Sequence, residues 1–395
     1  MNATSPIKWL LAGLLLSLLP VCAAQAGTPW PAWVQEHKAR PVAPATSVRE
    51  AYWTLVRGPG VADRIGLHRY RGTGRRQASV LYLPGTNMNG DAAPRDEDHN
   101  LLLYLAARGV DVYALDYRTH FVAPETAPQS LGFMRDWGAS AFAEDARAAL
   151  RQVRRDSGDA PVYVAGFSRG VFFAYALALQ EPAAVAGVVV LDGYFKAARP
   201  DPGSDPAAAW QKLRASERWA SDVGGSRGYP ARQALMQAVA ADPDAASPDP
   251  AYPNAGALVA HVLQSAWGPG ALANPEGGVS RPQVLARLMV GYDRYYPAVQ
   301  DVEGKSIGNA ADDPDSALDD GWGKLRQPVL YFSSTGMGPD WQANVAHSAR
   351  ASGSPRVEGH VLEGYGHLDV LVAESARQQV YQPLLDWLLQ QQAPR

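Results

Sequence analysis

Apolar residues come first in short unbroken runs, then at helical spacing, and the two alternate. Ser79–Leu83 (SVLYL), Val110–Leu115, Pro161–Ala165 and Val185–Leu191 are nearly continuous Val, Leu, Tyr and Ala, bounded by Gly or Pro. Such runs predict strands covered on both faces, the pattern of a parallel sheet. Between them, Asp98–Arg108 places Leu101, Leu102 and Leu105 at helical spacing, and Ala141–Arg154 and Val171–Leu179 also predict helices. Arg49–Arg57 and Ile65–Arg71 instead alternate and predict a hairpin turning at Gly58-Pro59-Gly60. No internal repeat is visible.

The alternation stops after Leu191. From about 195 to 325 the chain is rich in Ala, Pro, Asp and Gly, with Trp210, Trp219, Trp267, Tyr292, Tyr295 and Tyr296 interspersed. Helices are expected over Arg232–Ala241 and Pro282–Val290. The sheet pattern then resumes: strand Pro328–Phe332, helix Trp341–Ala351, strand Val357–Leu362, and a long closing helix over Val370–Gln390. The middle therefore reads as an insertion after the sixth strand. The implied organisation is residues 1–26 as a signal peptide, 27–48 as an extended arm, 49–194 with 326–395 as an α/β core, and 195–325 as a mainly helical cap. A cap so placed covers the carboxyl edge of the sheet, where open α/β folds bind ligands. Its aromatic residues would wall a pocket or pack the cap's own core.

At the N-terminus, Lys8 precedes an uncharged apolar run from Trp9 to Leu19. Ala24-Gln25-Ala26 then offers a small-x-small cleavage site, so the exported chain would start at Gly27. The run is short for a comfortable membrane span. An uncleaved anchor is the alternative, and Val21 before Cys22 fits a lipidation box poorly. The expected location is the periplasm or the extracellular medium. Cys22 is the only cysteine and leaves with the segment, so disulfides, a cysteine nucleophile and thiolate metal sites are not expected.

The 395 residues carry 36 Lys and Arg against 39 Asp and Glu, a formal net charge of −3. A nucleic-acid partner would call for a basic surface, which this balance does not supply. No H-E-x-x-H, H-x-x-E-H or EF-hand spacing occurs, so neither a metal nor a cofactor is expected.

One stretch combines strand, turn and helix: VAGFSRG, Val164–Gly170. Ser168 lies between Gly166 and Gly170, directly after a buried strand and before an apolar helix. A strained elbow there would expose the serine oxygen at a helix N-terminus. The bland alternative is a serine that caps the helix. Other segments agree with the first reading, and together they resemble the α/β-hydrolase superfamily. GFSRG resembles its nucleophile elbow, YLPGTN (Tyr82–Asn87) its oxyanion loop, ALDYR (Ala114–Arg118) the end of its fourth strand, and EGYGHLD (Glu363–Asp369) its histidine loop. The resemblance spans Arg49–Gln390 without the insertion.

It implies an α/β-hydrolase fold, a mostly parallel sheet flanked by helices, and a Ser-His-Asp triad. Ser168 is the expected nucleophile. Of eight histidines, His367 alone follows the last strand in a Gly-flanked loop, and it is the expected base. His120 would be a helper or structural residue, and His360, inside a strand, structural. Asp340, ending SSTGMGPD, occupies the loop after the seventh strand where the superfamily usually keeps its acid. Asp192, in LDGY after the sixth, is the alternative acid. Asp369 would pin the histidine loop. Oxyanion donors are expected from the backbone N–H of Arg169 and of Thr86 or Asn87. The implied activity is cleavage of a small-molecule carboxylic ester by an exported serine esterase. A peptidase or amidase, a lipase or polyester-degrading enzyme, a perhydrolase or haloperoxidase, and a non-catalytic binder on the same scaffold remain open alternatives.

Overall fold

The computed structural model describes residues 32–42, 47–201, 203–265, 270–310, 313 and 316–391. The proposed signal peptide and Trp267 lie outside them. Among the described residues nine strands form one sheet: β1 (Val34–Pro41), β2 (Arg49–Val56), β3 (Arg64–Arg71), β4 (Ala78–Leu83), β5 (Val110–Asp116), β6 (Val162–Phe167), β7 (Gly187–Leu191), β10 (Val329–Ser334) and β11 (Val357–Leu362). Their order is β1-β2-β3-β5-β4-β6-β7-β10-β11. From β5 to β11 all pairings are parallel, and β1, β2 and β3 add an antiparallel edge.

Burial follows from the residue types. β4, β5, β6, β7 and β10 are buried at every position, which explains their unbroken apolar runs. The helices α1 (Leu101–Ala107), α2 (Ala139–Ser157) and α3 (Arg169–Gln180) connect them. In α3, Val171, Phe172, Phe173, Tyr175 and Leu177 are all buried. Each such large apolar side chain contributes about 1.5–3 kcal/mol on leaving water. α1 starts at Leu101, not Asp98, because the Asn100 side chain caps the N–H groups of Leu102 and Leu103.

Between β7 and β10 the described residues include helices α4 (Pro206–Ser216), α5 (Tyr229–Ala241), α6 (Ala255–Ser265), α7 (Pro282–Val290) and α8 (Val299–Asn309). The same stretch also holds an unexpected two-stranded ribbon, β8 (Ala220–Asp222) against β9 (Tyr295–Pro297). The sheet resumes with β10, α9 (Pro339–Ala351) and β11.

Residues 34–41 of the extended arm form the sheet's edge strand, paired antiparallel with β2. One expectation needs correction. The closing helix is not continuous. α10 (Asp369–Val372) ends at Ala373, whose backbone turns extended, and Glu374 N–H bonds Val279 O. A π-helical turn over Arg377–Tyr381 then leads into α11 (Gln382–Gln390). Pro383, which has no N–H to give, sits in the first turn of α11, where that loss is tolerated.

Candidate active site

The loops after β4, β6, β7 and β11 meet at the carboxyl edge of the sheet. Ser168 joins β6 to α3 with φ 54° and ψ −121°, a conformation that costs a non-glycine residue on the order of 1–3 kcal/mol. Neighbouring glycines permit it. A Cβ on Gly166 would overlap the Gly170 backbone, one on Gly170 the Leu83 carbonyl, and one on Gly193 the Ser168 carbonyl. The Ser168 N–H donates to Leu191 O (3.0 Å), and its carbonyl accepts from Val171 N–H (3.0 Å). The side chain makes no capping bond to α3, so the helix-cap reading does not hold.

His367 lies just beyond β11 and is buried. Its ring stacks on Phe167, the residue before Ser168, with centroids 4.7 Å apart. The Trp341 ring meets its edge at 5.4 Å. Nδ1 lies 2.7 Å from Oδ2 of Asp192. Because a carboxylate accepts, Nδ1 carries the proton and Nε2 is the basic nitrogen.

The structure thus brings Asp192, the alternative acid, onto the imidazole, and not Asp340. Asp340 is exposed in the first turn of α9, where a carboxylate complements the positive helix end. Asp192 directly follows β7 at φ 50° and is fully buried. Its position follows from β7 pairing with β10, which brings it beside Ser334. Oδ1 accepts from Ser334 N–H (2.8 Å) and Trp341 Nε1–H (3.1 Å), and Oδ2 from the Ser334 hydroxyl (2.7 Å) and His367. Four donors compensate the buried charge. Sequence reasoning missed Ser334 and Trp341, although SST and the Trp after Asp340 were the available signals.

Asp369 pins the histidine loop. Oδ2 accepts from Gly366 N–H (2.6 Å) and Asn274 N–H (2.8 Å), and Oδ1 from the Ser280 hydroxyl (2.6 Å). Burial pushes its carboxyl above the usual range, and these donors oppose the shift. The inserted segment adds backbone bonds, His367 N–H to Ala271 O and Leu368 N–H to Leu272 O. His360, in β11, stacks on Phe332 of β10.

After β4, a Cβ on Gly85 would sit 3.0 Å from Ser168 Cβ, so this backbone passes against the serine. Met88 N–H closes a turn onto Gly85 O, with Asn87 at φ 61°. The N–H groups of Thr86 and Asn87 lie outside that bond. Both side chains face the inserted segment: the Thr86 hydroxyl lies beside Tyr296, and Asn87 Nδ2 donates to Asp293 O (2.9 Å). The Arg169 guanidinium folds over Phe172 against α8, beside Gly304 and 3.4 Å from Asp301. Tyr295 and Tyr296 are core packing.

A cavity of about 960 Å³ lies between α4, α8 and the start of α2, lined by Trp210, Ser140 and Glu303, and includes none of Ser168, His367 or Asp192. Among the described residues, no three His, Cys, Asp or Glu side chains are grouped to hold a metal. Among the same residues no helix is long and apolar enough to cross a membrane.

Sheet order, elbow and histidine loop define the class: the chain has the α/β-hydrolase fold, and its matches support that superfamily. Residues 80–251 match the family model described as serine aminopeptidase, S33. The chain is similar to the crystal structure of a candidate lipase from Sulfolobus solfataricus, with 26% identity over 91% of this chain and 99% of that one, and a TM-score of 0.74. A soluble variant of monoglyceride lipase from Saccharomyces cerevisiae, solved with a substrate analogue, shares the fold at 14% identity, covering 94% of this chain and 99% of that one with a TM-score of 0.50. No curated protein matches the sequence.

Proposed function

We propose that the protein is an exported serine hydrolase that cleaves carboxylic esters through Ser168, His367 and Asp192. The observation that carries this reading is the strained Ser168 elbow beside an imidazole whose Nδ1 is held on Asp192. Ser168 Oγ attacks the ester carbonyl and its proton passes to His367 Nε2. Asp192 stabilises the imidazolium. The carbonyl oxygen, now negative, is held by the N–H of Arg169 and that of Thr86 or Asn87. Collapse breaks the C–O bond, and His367 protonates the departing alcohol. A water, deprotonated by His367, then attacks the acyl-serine; the acid leaves and Ser168 regains its proton.

The likeness to the candidate lipase supports ester chemistry. The S33 model favours a second reading, release of an N-terminal amino acid from a peptide by the same three residues. Rates on matched ester and anilide substrates separate the two. Export is proposed from residues 1–26, and N-terminal sequencing of the secreted protein should begin at Gly27.

The primary test is a fluorophosphonate probe with peptide mass spectrometry. Label on Ser168 that disappears in His367→Ala supports the mechanism. A folded protein that takes no label refutes it and turns attention to a binding role.

A further inference from the structure

The Thr86–Gly90 loop is gripped from outside at three residues. The Asn87 carbonyl accepts from Asp293 N–H (2.7 Å), and Asn87 Nδ2 donates to the carbonyls of Asp293 (2.9 Å) and Arg294 (3.3 Å). Asn89 Nδ2 donates to Gly291 O (2.8 Å) and to Asp293 Oδ1 (3.0 Å). Gly90 N–H donates to Asp116 Oδ1 (2.7 Å). One imidazole lies between the two carboxylates: His120 Nδ1 is 2.9 Å from Asp293 Oδ1, and Nε2 is 3.9 Å from Asp116 Oδ2.

We propose that Asp293 and His120 are a positioning pair that holds this loop with its backbone N–H groups turned toward the reacting carbonyl, so that the inserted segment completes the oxyanion site. This rests on the ester-hydrolase reading above. Three facts require such a holder. Asn87 is at φ 61°, where a residue bearing a Cβ needs support from its surroundings. The loop is anchored to the core at Gly90, so what fixes Asn87 and Asn89 must come from outside the core, and it comes from residues 291–294. Asp293 is also costly to keep. Its Oδ2 is buried with no hydrogen-bond partner among the described residues, and burial pushes its carboxyl above the usual range, with His120 opposing. A residue serving only to attach the insertion would not need that charge, since the Asn87 contacts use its backbone alone.

The groups facing His120 are Asp116 on β5, Asp293 on the insertion and His68 on β3. Burial disfavours the His120 cation, but the two carboxylates outweigh it and the repulsion of His68, raising its pKa to about 9. The pair is thus charged at neutral pH and is lost as the pH rises through about 9.

The experiment compares wild type, Asp293→Asn and His120→Asn on p-nitrophenyl acetate, and measures inhibition by an aryl trifluoromethyl ketone. The adduct of that ketone places an oxyanion where the tetrahedral intermediate does. Each substitution should lower kcat about 10- to 100-fold with KM within about twofold, and should weaken the ketone by a similar factor. Wild-type kcat should fall above about pH 9, and His120→Asn should lack that limb. If Asp293→Asn disturbs folding, His120→Asn, which leaves every backbone bond to Asn87, carries the test. Unchanged kcat, a change confined to KM, or lowered thermal stability with unaltered ketone affinity would each overturn the proposal. A wild type that neither hydrolyses the ester nor labels at Ser168 would instead bring down the hydrolase reading, and this proposal with it.

Discussion

Asp192 and Asp340 both sit at the carboxyl edge of the sheet, yet only Asp192 meets the imidazole. Asp192→Asn should lower kcat by about three to four orders of magnitude, because the amide no longer enforces the Nδ1–H tautomer or offsets the imidazolium. Asp340→Asn should stay within about threefold of wild type, costing at most the favourable charge at the start of α9. Steady-state kinetics on one ester decide between them. Trp341→Phe keeps the ring against His367 but removes one of four donors to Asp192, so kcat should fall by about three- to tenfold while the fold persists. The proposed nucleophile Ser168 and base His367 stand out in the sequence because each is marked by its immediate neighbours, glycines and a preceding apolar run. The carboxylate that meets the imidazole does not. Choosing between 192 and 340 requires knowing that β7 lies beside β10 and that Ser334 and Trp341 converge on the carboxylate, and neither is a local property.

Elements with a clear local pattern were readable to within a few residues. β11, an edge strand exposed along much of its length, and α7 carry the predicted bounds, β6 ends two residues past its predicted end, and α3 starts two residues before its predicted start. What failed was the treatment of long apolar spacing as continuous helix. Val370–Gln390 keeps helical spacing throughout, but the chain breaks at Ala373 to let Glu374 bond Val279, a contact with the insertion that no local pattern encodes. The elbow shows how tightly elements are fitted at the site. A methyl on Gly193 would overlap the Ser168 carbonyl and come within 2.9 Å of the Val171 side chain. Gly193→Ala should therefore destabilise the protein by about 1–3 kcal/mol and lower kcat as well, since the displaced atom belongs to Ser168 itself. Chemical denaturation paired with kcat measurement checks this. Lost stability with unchanged kcat would mean that the elbow absorbs the strain elsewhere.

Across the whole molecule, the antiparallel edge of the sheet is tied to its parallel part by a line of alternating buried charges. Glu50 on β2 lies 2.6 Å from His68 Nδ1, and His68 Nε2 lies 3.0 Å from Asp116 on β5. With a carboxylate on each nitrogen, both nitrogens donate and the ring is an imidazolium. The sequence gives no hint of this, because His68 reads as one polar position in an alternating strand and its partners are 18 and 48 residues away. Burial opposes the His68 cation, but Asp116 and Glu50 raise its pKa from 6.5 to about 10. Burial likewise opposes the Glu50 anion, yet His68 lowers its pKa from 4.5 to about 2. The signs fix the stable window. A raised histidine stabilises fully below about 6.5, and its contribution declines above that and is gone past about pH 10. A depressed carboxyl stabilises fully above about 4.5 and loses its contribution as the pH falls toward about 2. Thermal unfolding should accordingly be most resisted between about pH 5 and 6.5, with a fall in Tm on the alkaline side steeper than surface charges alone produce. His68→Gln should start from a lower Tm at pH 6, because it leaves two buried carboxylates facing a neutral amide. Its Tm should then change less between pH 6.5 and 10 than that of the wild type. Parallel alkaline slopes in the two proteins would show that His68 is not the cation on which the link between the two parts of the sheet depends.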